Sequence, residues 1–147
     1  MSHEEAAQAA AKGIEALNRD HVYLAMVCFE QAIRLERTPL TCSCLAYCLA
    51  KVRERFPEAV TLAREAISLE PENHIHYLYL GRIHILAKER MEAIEALRQG
   101  LQHKKSPEII RELDALGARK PAIFKRLPRS HPLNRYLGLL LDRLGMR

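Results

Sequence analysis

The sequence predicts an all-α, right-handed stack of helix pairs, and three observations carry that reading. Ala25, Ala59 and Ala93 recur 34 residues apart, and their neighbours recur in step: Phe29, Ala63 and Leu97; Ala32, Ala66 and Gly100; Ile33, Ile67 and Leu101. A helix pair of this length cannot bury its apolar face alone, so successive copies must stack into a solenoid. The composition agrees, because 48% hydrophobic content with 5% aromatic residues and no Trp suits helices that pack through Ala and Leu rather than around large rings.

Local signals place the elements in order. Asp20 is read as the cap of the helix carrying Ala25 to Leu35, Thr38-Pro39 opens the next helix, Pro57 sits in the first turn of its partner, and Asn73 precedes the helix of the third copy. Six helices result, in copies spanning about 6–38, 39–72 and 73–106. Ser106-Pro107-Glu108 starts a seventh helix, residues 107–116, whose Ile109, Ile110, Leu113 and Leu116 are apolar, and Gly117 is placed to end it. The last repeat of a solenoid exposes an apolar face, which a helix in this position covers. This closes a first domain of residues 1–117.

The chain then changes character. Between Arg119 and Arg135 there are six basic residues (Arg119, Lys120, Lys125, Arg126, Arg129 and Arg135), no acid, and prolines at 121, 128 and 132. Proline fixes φ and turns the residue before it away from helix, so 118–131 is expected to be an extended basic linker. Residues 132–146 read as a short apolar helix, with Leu133, Leu137, Leu140 and Leu144 on one stripe widened by Tyr136 and Leu141. A stripe that apolar requires a docking partner.

The third copy reads Tyr77-x2-Leu80-Gly81-x2-His84, followed by Ala93-x3-Leu97-x2-Gly100-Leu101. This resembles the tetratricopeptide repeat (TPR), whose pattern is Trp-x2-Leu-Gly-x2-Tyr, then Ala-x3-Phe, then Pro. Tyr77 replaces Trp, His84 replaces Tyr, Gly100 replaces a small Ala, and Pro107 comes two residues late. The second copy keeps Leu45-Ala46, Ala59, Ala66 and Pro71 with one extra residue between its helices; the first keeps Gly13, Ala25, Phe29, Ala32 and Pro39. The resemblance covers roughly residues 6 to 107.

The resemblance implies a concave groove lined by the first helix of each pair. The positions that carry over are Ile75, Leu78, Arg82, Ile85 and Leu86 in the third copy; Leu40, Ser43, Tyr47, Ala50 and Lys51 in the second; and Ile14, Leu17 and Asn18 in the first. A largely apolar groove edged by Arg82 and Lys51 suits an amphipathic helix or extended apolar segment, with the two cations pairing acidic groups at the rim. Its occupant is either a partner protein or the chain's own C-terminal helix, in cis or exchanged within a homodimer. The family's carboxylate clamp is not convincingly matched, since only Arg82, Lys51 and Asn18 are available.

Charge is uneven. Residues 1–103 hold 12 Lys and Arg against 14 Asp and Glu, whereas residues 104–147 hold 11 against 4. Such asymmetry concerns partners rather than fold. It makes RNA or a ribosome the alternative partner, reached through the basic arm, although Phe124 is the arm's one aromatic platform. Three repeats and an apolar groove are also similar to the type III secretion chaperones.

Other functional classes find little support. Cys42, Cys44 and Cys48 form C-x-C-x3-C within one helix, without the paired C-x2-C or H-x3-H units of a zinc site, and with Cys28 they read as core thiols. His84 reads as a packed imidazole, and His74-x-His76 opens a helix. No nucleophile elbow, phosphate loop or zincin motif occurs, so no cofactor, metal or catalytic residue is expected. No apolar run reaches bilayer length and the start lacks a secretory pattern, which together imply a cytoplasmic, non-catalytic binding protein such as an adaptor, assembly factor or small chaperone.

Overall fold

A computed structural model describes residues 2–118. The described residues form seven helices and no strand: α1 (Ser2–Asn18), α2 (Val22–Leu35), α3 (Pro39–Arg53), α4 (Phe56–Leu69), α5 (His74–Leu86), α6 (Arg90–His103) and α7 (Pro107–Ala115). They pair as α1 with α2, α3 with α4 and α5 with α6; the first pair stacks on the second through α2 against α3, the second on the third through α3 and α4 against α5, and α7 closes the stack against α6 and α5. The expected basic linker and the apolar helix at 132–146 lie outside the described residues, save Ala118.

The recurring small residues sit where paired helices cross. Ala25, Ala59 and Ala93 are fully buried, as are Phe29, Ala63 and Leu97. Side-chain volumes compensate from one repeat to the next. A Cβ added to Gly13 would lie 2.6 Å from the Phe29 ring, and one added to Gly81 would lie 2.6 Å from Leu97, so a large side chain on the second helix faces no side chain on the first. In the middle repeat Ala46 and Ala63 hold the same two positions within one core cluster. Interiors at crystal-like density require this balance.

Helix starts follow local chemistry. Thr38 caps α3 through a capping box with Thr41, and the Asn73 side chain accepts the Ile75 N–H at 3.1 Å. Pro57 and Pro107 occupy first turns, where a missing N–H costs nothing, and Gly117 follows α7 at φ 70°.

Asp20 departs from expectation. The N-cap of α2 is His21, which makes no side-chain cap bond, while Asp20 is left-handed at φ 60° and ends α1 instead. Its N–H bonds Leu17 O at 3.0 Å and the His21 N–H bonds Ala16 O at 2.8 Å, the paired closure of a Schellman turn. Asp serves both roles, because its short side chain caps helix starts and also tolerates the left-handed conformation. Glu54 and Lys88 repeat the feature at φ 53° and 62°, and all three residues lie five positions before Ala25, Ala59 and Ala93. The extra residue of the second copy therefore falls between Ala46 and Glu54, in the last turns of α3.

Candidate functional site

The first helices of the pairs, α1, α3 and α5, place Ile14, Tyr47 and Arg82 at equivalent repeat positions. Tyr47 and Tyr79 have ring centroids 5.8 Å apart, and the Arg82 guanidinium lies 5.8 Å from the Tyr79 centroid. Arg82 Nε donates to Glu112 Oε1 at 3.0 Å, and its terminal nitrogen lies 3.8 Å from Glu108 Oε2. Both acids belong to α7, one turn apart on its face toward α5. Burial raises the pKa of the Tyr47 phenol; among the charges it senses, Arg82 lowers it while Asp20 and Glu112 raise it.

The other expected groove residues differ in exposure. Ile14, Asn18 and Lys51 are exposed, whereas Leu17, Tyr47, Ile75, Ile85 and Leu86 are half-buried. Leu17 and Leu86 each pack against a core cluster. Leu78 is only 4% exposed. Of the remaining second-copy positions, Leu40 is half-buried, and Ser43 and Ala50 are buried. The basic-arm residues Arg119, Lys120, Lys125, Arg126, Arg129 and Arg135 lie outside the described residues.

One polar network was not legible in the sequence. His76 is completely buried; its Nδ1 lies 2.6 Å from Ser43 Oγ and its Nε2 lies 2.7 Å from Glu70 Oε1. An ionised carboxylate only accepts, so the imidazole donates from Nε2 to Glu70, and in the neutral ring Nδ1 is then the acceptor of the Ser43 hydroxyl. The bond from His76 holds Glu70 below the usual carboxylate range. Ser43 is itself fully buried, which leaves its hydroxyl no access to a substrate. The network ties α3 to α5 and to the loop before α5.

The thiols are set for packing. Burial raises Cys44 to about 11 and Cys48 to about 12, and raises Cys42 as well. They are protonated near neutral pH and are poor nucleophiles and poor metal ligands. Among the described residues no group of three His, Cys, Asp or Glu is placed to hold a metal ion. His84 is 5% exposed, with Nδ1 3.4 Å from Glu89 Oε1.

A second surface was also not anticipated. Tyr23, Leu24 and Val27 on α2 are 64%, 54% and 42% exposed, although α4 and α6 place Glu58 and Thr61, and Glu92 and Glu95, at the positions of Leu24 and Val27.

Among the described residues no helix is long and apolar enough to cross a membrane. No protein-family model and no curated protein matches the chain. Solved structures do. The Arabidopsis OM64 TPR domain superposes with a TM-score of 0.67 at 17% identity, covering 82% of this chain and all of the other. The first TPR domain of human RPAP3 gives 0.67 at 16%, covering 80% and 93%. The TPR2B domain of yeast Sti1, in complex with pHsp70, gives 0.63 at 24%, covering 79% and 95%. With its paired helices, small crossing residues and closing α7, the chain has the fold of a tetratricopeptide-repeat domain.

Proposed function

We propose that this protein is a non-catalytic binding module, an adaptor, assembly factor or small chaperone, that holds an apolar segment of another protein against the concave side of α1, α3 and α5. The observation that carries the reading is the row of Ile14, Tyr47 and Arg82 across three successive first helices, flanked by half-buried Ile75 and Ile85. Apolar and aromatic groups at consecutive stack positions suit one continuous helix or strand better than a compact small molecule. Structural neighbours hold peptides: the first TPR of Spaghetti (RPAP3) is bound to the HSP90 peptide SRMEEVD, and the second TPR of human RPAP3 to the HSP70 peptide SGPTIEEVD.

Affinity capture from the source organism with the full chain tests this. Ile14→Asp and Ile14→Lys each put a charge at an exposed apolar groove position, so either should release the partner while helical content and melting temperature stay at wild-type values. Capture by the apolar groove should survive added salt. Binding that tolerates both substitutions yet collapses with ionic strength would move the function to the basic arm and a polyanion such as RNA. Partner capture that appears only when the Leu133–Leu144 stripe is disrupted would make the C-terminal segment the groove's resident occupant.

A further inference from the structure

We infer that the concave groove selects a basic residue on its apolar ligand and rejects acid-ended peptides, because α7 has already taken Arg82, the half-buried cation among its described residues. This rests on the groove reading and specifies its chemistry. Arg82 carries a single positive charge, and two carboxylates of α7, Glu112 at 3.0 Å and Glu108 at 3.8 Å, answer it. The Arg82 and Glu112 side chains are 29% and 28% exposed, so the pair is partly desolvated and screened less than a surface pair. An incoming carboxylate must break that contact and then face Glu108 and Glu112 without compensation. Removing one partner of such a pair costs far more than a surface contact returns.

The same groups favour a cation. Tyr47 and Tyr79 lie 5.8 Å apart beside the Arg82–Glu112 pair; Arg82 already stands 5.8 Å from the Tyr79 centroid, and Asp20 and Glu112 oppose its effect on Tyr47. Aromatic faces bordered by excess carboxylate attract ammonium and guanidinium groups. Glu108 is 53% exposed and only distantly paired, so it remains open to a ligand's Lys or Arg. The selected ligand is therefore an apolar helix or strand with a Lys or Arg beside its apolar stripe.

Two labelled probe peptides test this against the full chain by fluorescence anisotropy. One is the sequence of residues 132–146, which carries Arg135 and Arg143 on a Leu stripe; the other is the same peptide with both arginines replaced by Glu. The basic probe should bind about tenfold more tightly or better. Residues 1–103 hold 12 Lys and Arg against 14 Asp and Glu, so substitutions of matched charge on α7 and on α6 are needed to separate groove recognition from bulk attraction. Glu112→Gln and Glu108→Gln together should narrow the preference by weakening the basic probe and strengthening the acidic one, while Glu92→Gln with Glu95→Gln on α6 should leave it unchanged. Equal or tighter binding of the acidic probe overturns the inference, as does a preference that ignores the α7 substitutions. Failure of both probes to bind even when the Leu133–Leu144 stripe of the chain is disrupted, or binding that Ile14→Asp leaves intact, overturns the groove reading itself.

Discussion

Gly81 lies directly beneath Leu97: a Cβ on Gly81 would sit 2.6 Å from both Cγ and Cδ2 of that leucine. The helix pair of the third repeat closes only because α5 gives up a side chain where α6 presents a large one. Gly81→Ala should therefore destabilise the protein by roughly 1 to 3 kcal/mol through overpacking. Leu97→Ala alone should cost about 2 to 5 kcal/mol through the cavity it leaves. Combined, they recreate the Ala46 and Ala63 pairing of the middle repeat, and the double variant should lose less than the sum. Denaturant midpoints for the four proteins give the coupling, and strict additivity would show that the two residues do not share this space.

The buried imidazole makes a separate prediction. Ser43→Ala leaves His76 Nδ1 without its 2.6 Å partner in a fully buried site, and should cost about 1 to 3 kcal/mol. Ser43→Thr, which retains the hydroxyl, should recover part of the loss. A melting temperature unchanged by the alanine variant would mean that the bond contributes nothing net.

Glu70 sets the acid limb of that network. Its pKa is lowered, chiefly by the bond from His76, so its stabilising contribution is complete above the ordinary carboxylate range and lost as pH falls through the depressed value. The Glu70 side chain is 47% exposed, which keeps the effect below about 1 kcal/mol. The stability gap between wild type and Glu70→Gln should be present at pH 7 and close in acid. A gap that widens toward acid would reverse the sign of this linkage.

The thiols should differ in reactivity. Cys44 and Cys48, raised by burial to about 11 and about 12, should resist a thiol reagent at pH 8 until denaturant is added. Cys28 is half-buried and should react first in the native protein. Simultaneous native labelling of all four cysteines would place Cys44 and Cys48 at the surface.

The sequence by itself determined the repeat, the helix count through residue 116 and most of the caps, because those depend on neighbours a few positions away. Ala25, Ala59 and Ala93 recur because every helix pair poses the same steric problem at its crossing. Thr38 and Asn73 declare helix starts through bonds to residues within three positions. Asp20 shows where local reading fails, because one residue type serves both a helix start and a left-handed helix end, and only the path of the chain distinguishes them. Tertiary structure decided the rest. His76 gains its role from Ser43, 33 residues away; in the sequence it is one of two histidines at the start of a helix. Arg82 is expected from the sequence as a groove cation, but its pairing with Glu112, 30 residues on, follows from how α7 folds back on α5. Leu78, expected to line a groove, is only 4% exposed. Helix propensity and capping act within a turn, whereas burial, ion pairing and the sign of a groove's charge are set by which distant side chains the stack brings together.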